Sequence, residues 1–267
     1  MRTVLIKTMA AIAMSGALTA PGMACDGLRD GPRAIVVDVV DGDTIMLDNG
    51  LKVRLVGIQA PKLALGRDGY AAWPLADQAK RALSELSLGQ RVLVRYGGAE
   101  RDRHGRILGQ LFVGENEIWA QQAMLLAGLA RVYSFADNRN CLSELYQAEA
   151  RARADREGIW AGEGFYAIRN ASKPLAILER TDRYELVEGR VLSAEQYGQR
   201  VYLNFGAQWK KDFTILVERA ARRLFEQRGI DPLDLKGALV RVRGWVENKN
   251  GPLIEITHPE QIELLAK

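Results

Sequence analysis

Along most of the chain, apolar and polar residues alternate with a period of two, in short runs separated by turn-forming residues, a pattern that predicts strands. In the first half the runs are Ala34–Val40, Thr44–Leu47 and Val53–Ile58, with Asp48-Asn49-Gly50 as a hairpin turn between the last two. A loop rich in Gly, Arg and Asp follows from Pro61 to Trp73. The period then changes. In "PLADQAKRALSEL", Pro74 sits at a helix start and Leu75, Ala79, Ala82, Leu83 and Leu86 share one face, with Gly89 as the stop. "QRVLVRYGG" and "ILGQLFV" read as strands across the turn "RDRHGR". Trp119–Leu129 and Leu142–Arg156 read as helices, the second stopped by Gly158. Three strands, a helix and two more strands predict a β-barrel with helices (α+β): a five-stranded Greek-key barrel of the oligonucleotide-binding (OB-fold) type over residues 34–162.

The second half repeats the order without a visible repeat of sequence. Residues 163–182, with Gly, Asn, Ser and Pro, read as a linker. Tyr184–Leu192, Arg200–Phe205 and Asp212–Val217 read as strands, the first two joined by "SAEQYGQ" as a turn. Glu218–Arg228 reads as a helix, and Ala238–Val246 and Leu253–Ile256 as strands across "NKNG". The expectation for residues 183–267 is a second OB-like β-β-β-α-β-β unit.

The chain has 267 residues and is 48% hydrophobic, which permits packed cores and disfavours disorder along the whole chain. Residues 1–24 carry the marks of a cleaved export signal: Arg2 and Lys7, an apolar run from Met9 to Ala20, and small residues at Gly22 and Ala24. That run is too short to span a bilayer. An exported, periplasmic or secreted protein is expected, with lipid anchoring at Cys25 as the alternative. Export also permits the chain's two cysteines, Cys25 and Cys141, to pair. Two cysteines and two histidines are too few for a zinc cluster. Removing Arg2 and Lys7 from the 37 basic residues leaves 35 against 33 acidic, or +2, so any nucleic-acid surface has to be local.

Asp41, Asp43 and Thr44 gather at one end of the first hairpin, with Arg54 across it and Arg106 in the "DRHGR" turn. Guanidinium groups suit phosphate in both ground and transition states, and a carboxylate pair suits Ca²⁺. Arg101, Arg103 and His104 read more readily as a solvated loop. In the second unit, Tyr202, Phe205, Trp209 and Phe213 lie near Arg200, Lys210 and Lys211, and Arg241 and Arg243 alternate with Val240 and Val242. On an OB barrel such residues stack bases and track a backbone. The plainer expectation is core aromatics with a solvated arginine face.

"VDVVDGDTIML", "RLVGIQAP", "DRHGR", "LLAGLARV" and "AEARARADREGIW" together resemble the thermonuclease (staphylococcal nuclease-like) family over Ala34–Trp160. The resemblance implies a Ca²⁺-dependent nuclease of DNA and RNA. It places a metal-binding aspartate at Asp43, phosphate-binding catalytic arginines at Arg54 and Arg106, a second metal-binding aspartate at position 59 and a general base at position 62. This chain has Gln59 and Lys62 there, while Ala60 keeps the backbone carbonyl that would face a metal. A lysine protonated at neutral pH takes no proton from water. One carboxylate facing an ammonium group makes a poor Ca²⁺ site, which usually has six to eight oxygens. The expectation is a phosphate site formed by Arg54, Lys62 and Arg106 that needs no cofactor, with hydrolysis weak or lost. The alternative is an active phosphodiesterase that uses Ca²⁺ and a relocated acid, Asp41 or Asp68. A structural or protein-binding barrel is the third possibility.

Overall fold

The computed structural model describes residues 26–267, apart from Arg67, Glu163 and Trp209. The expected signal segment 1–24 and Cys25 lie outside the described residues. The first unit begins with β1 (Arg29–Asp41), β2 (Thr44–Leu47), β3 (Lys52–Leu55) and β4 (Gly57–Gln59). It continues through α1 (Ala76–Ser87), β5 (Arg91–Tyr96), β6 (Ile107–Val113), β7 (Ile118–Trp119), α2 (Ala120–Leu126), β8 (Arg131–Tyr133) and α3 (Leu142–Ala154). The long β1 pairs antiparallel with β5 through its first half and with β2 through its second. β2 pairs with β3, β5 with β6, and a parallel pairing of β3 with β6 closes the five-stranded barrel. Inside it, Ile45, Val53, Leu55, Val94 and Leu111 have no more than trace exposure.

The apolar run Val53–Ile58 is two strands where the sequence predicts one. Gly57, the first residue of β4, adopts φ 88°, a conformation that disfavours side-chain-bearing residues. The chain turns there, and β4 leaves the barrel to pair with β8, setting Gln59 opposite Arg131. The helix expected at Trp119–Leu129 is shorter, since Trp119 ends β7 and its indole donates to Gln110.

The second unit contains β9 (Arg169–Asn170), α4 (Pro174–Leu178), β10 (Tyr184–Arg190), β11 (Ser193–Tyr197), β12 (Arg200–Asn204) and β13 (Thr214–Val217). After these come α5 (Arg219–Glu226), β14 (Leu239–Asn248), β15 (Pro252–Ile256) and β16 (Ile262–Ala266). β10 and β11 together play the part of the first barrel's β1: β10 pairs with β14 and β11 with β12. β12 pairs with β13, β14 with β15, and a parallel pairing of β13 with β15 closes the ring. Both units therefore have the same strand connectivity. "SAEQYGQ" is chiefly a strand, β11, with only its end turning. The stretch 163–182 carries β9 and α4, and its Ala171 and Ile177 belong to the second unit's core.

The expected solvated face of Arg241 and Arg243 is not solvated. Arg243 is fully buried, because the first unit covers that face of β14. Its guanidinium donates to Glu149 on α3 at 3.1 and 2.9 Å, to the Val132 carbonyl at 3.2 Å, and to Glu263. Arg241 is held by Glu188 at 2.6 Å and Glu263 at 3.0 Å. Glu149 also accepts from the Val132 backbone N–H at 2.7 Å and from Arg153 at 3.1 Å. Burial disfavours both charges of the Arg243–Glu149 pair; their mutual attraction overrides it, raising the Arg243 pKa and lowering that of Glu149. A buried ion pair thus joins the two barrels.

His258 forms a second joint. Its Nε2 lies 2.7 Å from Ser134 Oγ of the first unit and its Nδ1 2.9 Å from Thr257 Oγ1. The Thr257 hydroxyl donates to Gln261, so Nδ1–H donates to Thr257 and Nε2 accepts from Ser134. Burial, with Arg139 and Arg228 adding to it, lowers the His258 pKa to about 4. The unfolded chain therefore binds this proton first as pH falls. Stability present above the unfolded value near 6.5 is lost down to about pH 4, up to about 3 kcal/mol for this group. Urea melts of wild type and His258→Asn across that window are expected to converge as pH falls. Parallel stability curves would show that His258 does not titrate there.

Candidate phosphodiester site

The turn Asp41-Gly42-Asp43 ends β1 and leads into β2. Gly42 lies so close to its neighbours that a Cβ there would be 2.7 Å from the Cβ atoms of both Ala60 and Ala79. This contact presses the turn against the segment after β4, and the Ala60 backbone N–H donates to Asp43 Oδ2 at 2.8 Å. Asp43 is wholly buried. The β2–β3 register sets Arg54 opposite Thr44. From there Arg54 Nη2 comes 3.3 Å from Asp43 Oδ2 and donates to the Ile58 carbonyl at 2.7 Å, while Nη1 donates to the Leu55 carbonyl.

Lys62 points into this cluster. Its ammonium donates to Asp43 Oδ1 at 2.8 Å and Oδ2 at 2.6 Å, and lies 3.6 Å from Asp41 Oδ2. The side chain keeps 21% exposure, so Lys62 lies at the edge of the buried cluster. Burial would raise the Asp43 pKa, but Arg54 and Lys62 override it and hold the carboxyl well below the usual carboxylate range. Asp41 is shifted the other way, by burial and by the charge of Asp43, and one of its oxygens accepts from the Asp43 backbone N–H.

The Ca²⁺ that the resemblance implies does not fit these residues. Asp43 Oδ1 accepts from Lys62 and from Thr44 Oγ1, and Oδ2 from Lys62 and Ala60 with Arg54 alongside. Gln59 supplies an amide where a second carboxylate is needed, and its Oε1 accepts from Arg131 Nε at 3.2 Å and Nη2 at 2.9 Å. A divalent cation would have to displace an ammonium group already seated on the carboxylate. Asp68 is exposed in the loop after Lys62.

Arg106 is bound elsewhere. Within its own turn it donates to Asp102 Oδ2 at 2.7 Å, and its side chain remains about one-third exposed. Arg101 donates to the Gly105 carbonyl, and Arg103 and His104 bond each other on the surface, as expected of a solvated loop. The sequence reading missed Arg131. It is buried, it holds Gln59, and its guanidinium lies 5.0 Å from the ring centre of Tyr184 in the second unit and 6.0 Å from that of Trp73. The "LLAGLARV" block contained it, but nothing local showed that β8 would pair with β4. Cys141 is disulfide-bonded at the start of α3.

An acidic turn and an arginine from the adjacent strand thus sit at one end of a five-stranded barrel of the oligonucleotide-binding type. The chain belongs to the staphylococcal nuclease homologue family, whose match covers residues 52–162. An uncharacterized endonuclease of Escherichia coli is 34% identical over 129 residues, covering 47% of this chain and 75% of that protein. The thermonuclease of Staphylococcus hyicus is 26% identical over the same length, covering 47% and 74%. Endonuclease YncB of Bacillus subtilis is 28% identical over 135 residues, covering 49% and 62%.

Proposed function

We propose that this is an exported, metal-independent phosphodiester-binding member of the family, in which an internal ammonium group takes the place of the divalent cation and hydrolysis is lost. One observation carries this reading: Lys62 Nζ lies within hydrogen-bonding distance of both oxygens of Asp43. An ammonium group has three donors. Two serve Asp43, and Asp41 at 3.6 Å is too far to take the third, which remains for a phosphate oxygen at the exposed edge. Asp41 and Asp43 stand against Arg54 and Lys62, so the cluster is balanced when all four are ionised and phosphate is held by directed hydrogen bonds. Arg106, on a nearby loop and only partly buried, can exchange Asp102 for phosphate. Lys62 stands where the resemblance places the base, and its side-chain nitrogen is engaged by Asp43. The half-cystine at Cys141 agrees with an oxidising compartment. No helix of the described residues is long and apolar enough to cross a membrane.

The test is fluorescence anisotropy of a labelled single-stranded 15-mer, run in parallel with plasmid nicking. Affinity is expected to be equal in Ca²⁺ and in EDTA, and to fall as KCl rises. Lys62→Ala is expected to weaken binding by roughly tenfold, the worth of one charged hydrogen bond. Ca²⁺-dependent nicking that Arg54→Ala abolishes would overturn the proposal in favour of hydrolysis with Asp41 as the relocated acid. No binding in either buffer would leave a structural barrel.

A further inference from the structure

The second barrel carries a groove of about 860 Å³ on its outer face, far from any role in the cluster at Asp43. This volume is within the ~300–1,000 Å³ of ligand pockets. Strand alternation builds it. Ala194, Val201, Leu203, Ile215 and Ile254 point into or pack against the core, so their neighbours face outward. Glu195 and Tyr197 come from β11, Tyr202 and Asn204 from β12, and Thr214 from β13, with Asn250 from the turn after β14. This is the face, with its flanking loops, through which OB barrels take oligonucleotides or oligosaccharides.

Charge decides between those two. Arg200 and Lys249 are the cations lining the groove among the described residues. Arg200 is bound to Glu218 at 2.8 Å and Lys249 to Glu247 at 2.5 Å. Lys210 and Lys211, in the adjoining loop, do not line it. Glu195 adds a further acid, so Glu195 and Glu218 face Arg200 and Lys249 in the lining. With two acids balancing two cations, the lining offers a polyanion no surplus of positive charge. The two tyrosines, with ring centres 6.0 Å apart and Tyr197 two-thirds exposed, offer apolar faces instead. The groove floor is a neutral hydrogen-bonding row: Asn204 Nδ2 donates to Ser193 Oγ at 3.2 Å and Thr214 Oγ1 to Asn204 Oδ1 at 3.1 Å. The Asn204 amide keeps one N–H for a ligand, and Glu195, which accepts from the Tyr197 hydroxyl, keeps acceptor capacity.

We infer that this groove binds a neutral oligosaccharide, with sugar rings against Tyr197 and Tyr202 and their hydroxyls bonded to Asn204, Thr214 and Glu195. The experiment is isothermal titration of the mature chain with chitohexaose, with cellohexaose and with an oligothymidylate 10-mer. Saturable binding of a hexasaccharide is expected. Tyr197→Ala, at an exposed site that folding does not need, should weaken it about three- to tenfold, the worth of one aromatic contact. Lys62→Ala should leave it unchanged, which separates this site from the phosphodiester site of the first barrel. Two results overturn the inference: no response to either hexasaccharide, or saccharide binding indifferent to both Tyr197→Ala and Tyr202→Ala. Oligothymidylate binding that Tyr197→Ala weakens, without saccharide binding, would assign the groove to nucleic acid instead.

Discussion

Glu149→Ala is expected to cost about 3–5 kcal/mol of stability, the range for removing one partner of a buried ion pair. The variant strands the Arg243 guanidinium, which is fully buried and then has only Glu263 as a carboxylate partner. It also leaves the Val132 N–H without its acceptor. Because α3 belongs to one barrel and β14 to the other, the loss falls on their junction. That junction is otherwise held by neutral or more exposed contacts: the His258–Ser134 bond at 2.7 Å, the Tyr146 hydroxyl donating to the Glu260 carbonyl, Arg139 with Glu260 at 3.4 Å, the Tyr184 hydroxyl donating to the Val132 carbonyl at 3.4 Å and Trp245 Nε1 to the Tyr133 hydroxyl at 3.2 Å. Urea unfolding of wild type should therefore be a single transition, and that of Glu149→Ala should split in two with smaller slopes. Glu149→Leu combined with Arg243→Met should recover most of the loss, because no charge is then left buried. A midpoint for Glu149→Ala within about 1 kcal/mol of wild type would mean that water reaches the pair, contrary to its burial.

The same pair shows where sequence reasoning stops. Alternation in "VRVRGW" correctly places Arg241 and Arg243 on one face of a strand. It also implies that the face opposite Val240 and Val242 is wet, which holds only for a barrel that stands alone. Here another barrel covers it, and Glu149 lies 94 residues away in sequence. The strand Ser193–Tyr197 failed to register for the opposite reason. Its groove face is rich in polar and exposed residues, so no apolar period marks it. The first barrel was more legible, since its short apolar runs end in strong turn signals such as Asp48-Asn49-Gly50. Within the site, position separates from direction. The resemblance puts Lys62 at the family's base position, but no local pattern shows that its ammonium turns inward onto the carboxylate. Of the expected trio of cations, Arg54 and Lys62 both reach Asp43. Arg106 proved to be held by Asp102, while Arg131 entered through the β4–β8 pairing, which no local pattern announces.

Lys62→Glu is expected to turn a calcium-indifferent protein into a calcium-dependent one. In wild type the ammonium neutralises Asp43 from within, so Tm should be the same in EDTA and in millimolar Ca²⁺. The substitution removes that charge and adds a third carboxyl beside Asp41 and Asp43, leaving Arg54 as the nearby counter-charge. Without a cation, like charges at these separations repel, and the variant should melt well below wild type. With Ca²⁺ the same oxygens become ligands, and at one hundred times the dissociation constant about 2.7 kcal/mol is regained. Gln59→Asp alone should show no such response, because its carboxylate faces Arg131 and forms an ion pair there. Cleavage should need both changes, with the new carboxylate at position 59 drawn from Arg131 onto the metal and the one at position 62 free to take a proton from water. Differential scanning fluorimetry and plasmid nicking on wild type, the two single variants and the double variant separate these effects. A wild-type Tm that rises with Ca²⁺, or a Lys62→Glu variant that ignores it, would mean that the ammonium does not stand where the cation belongs.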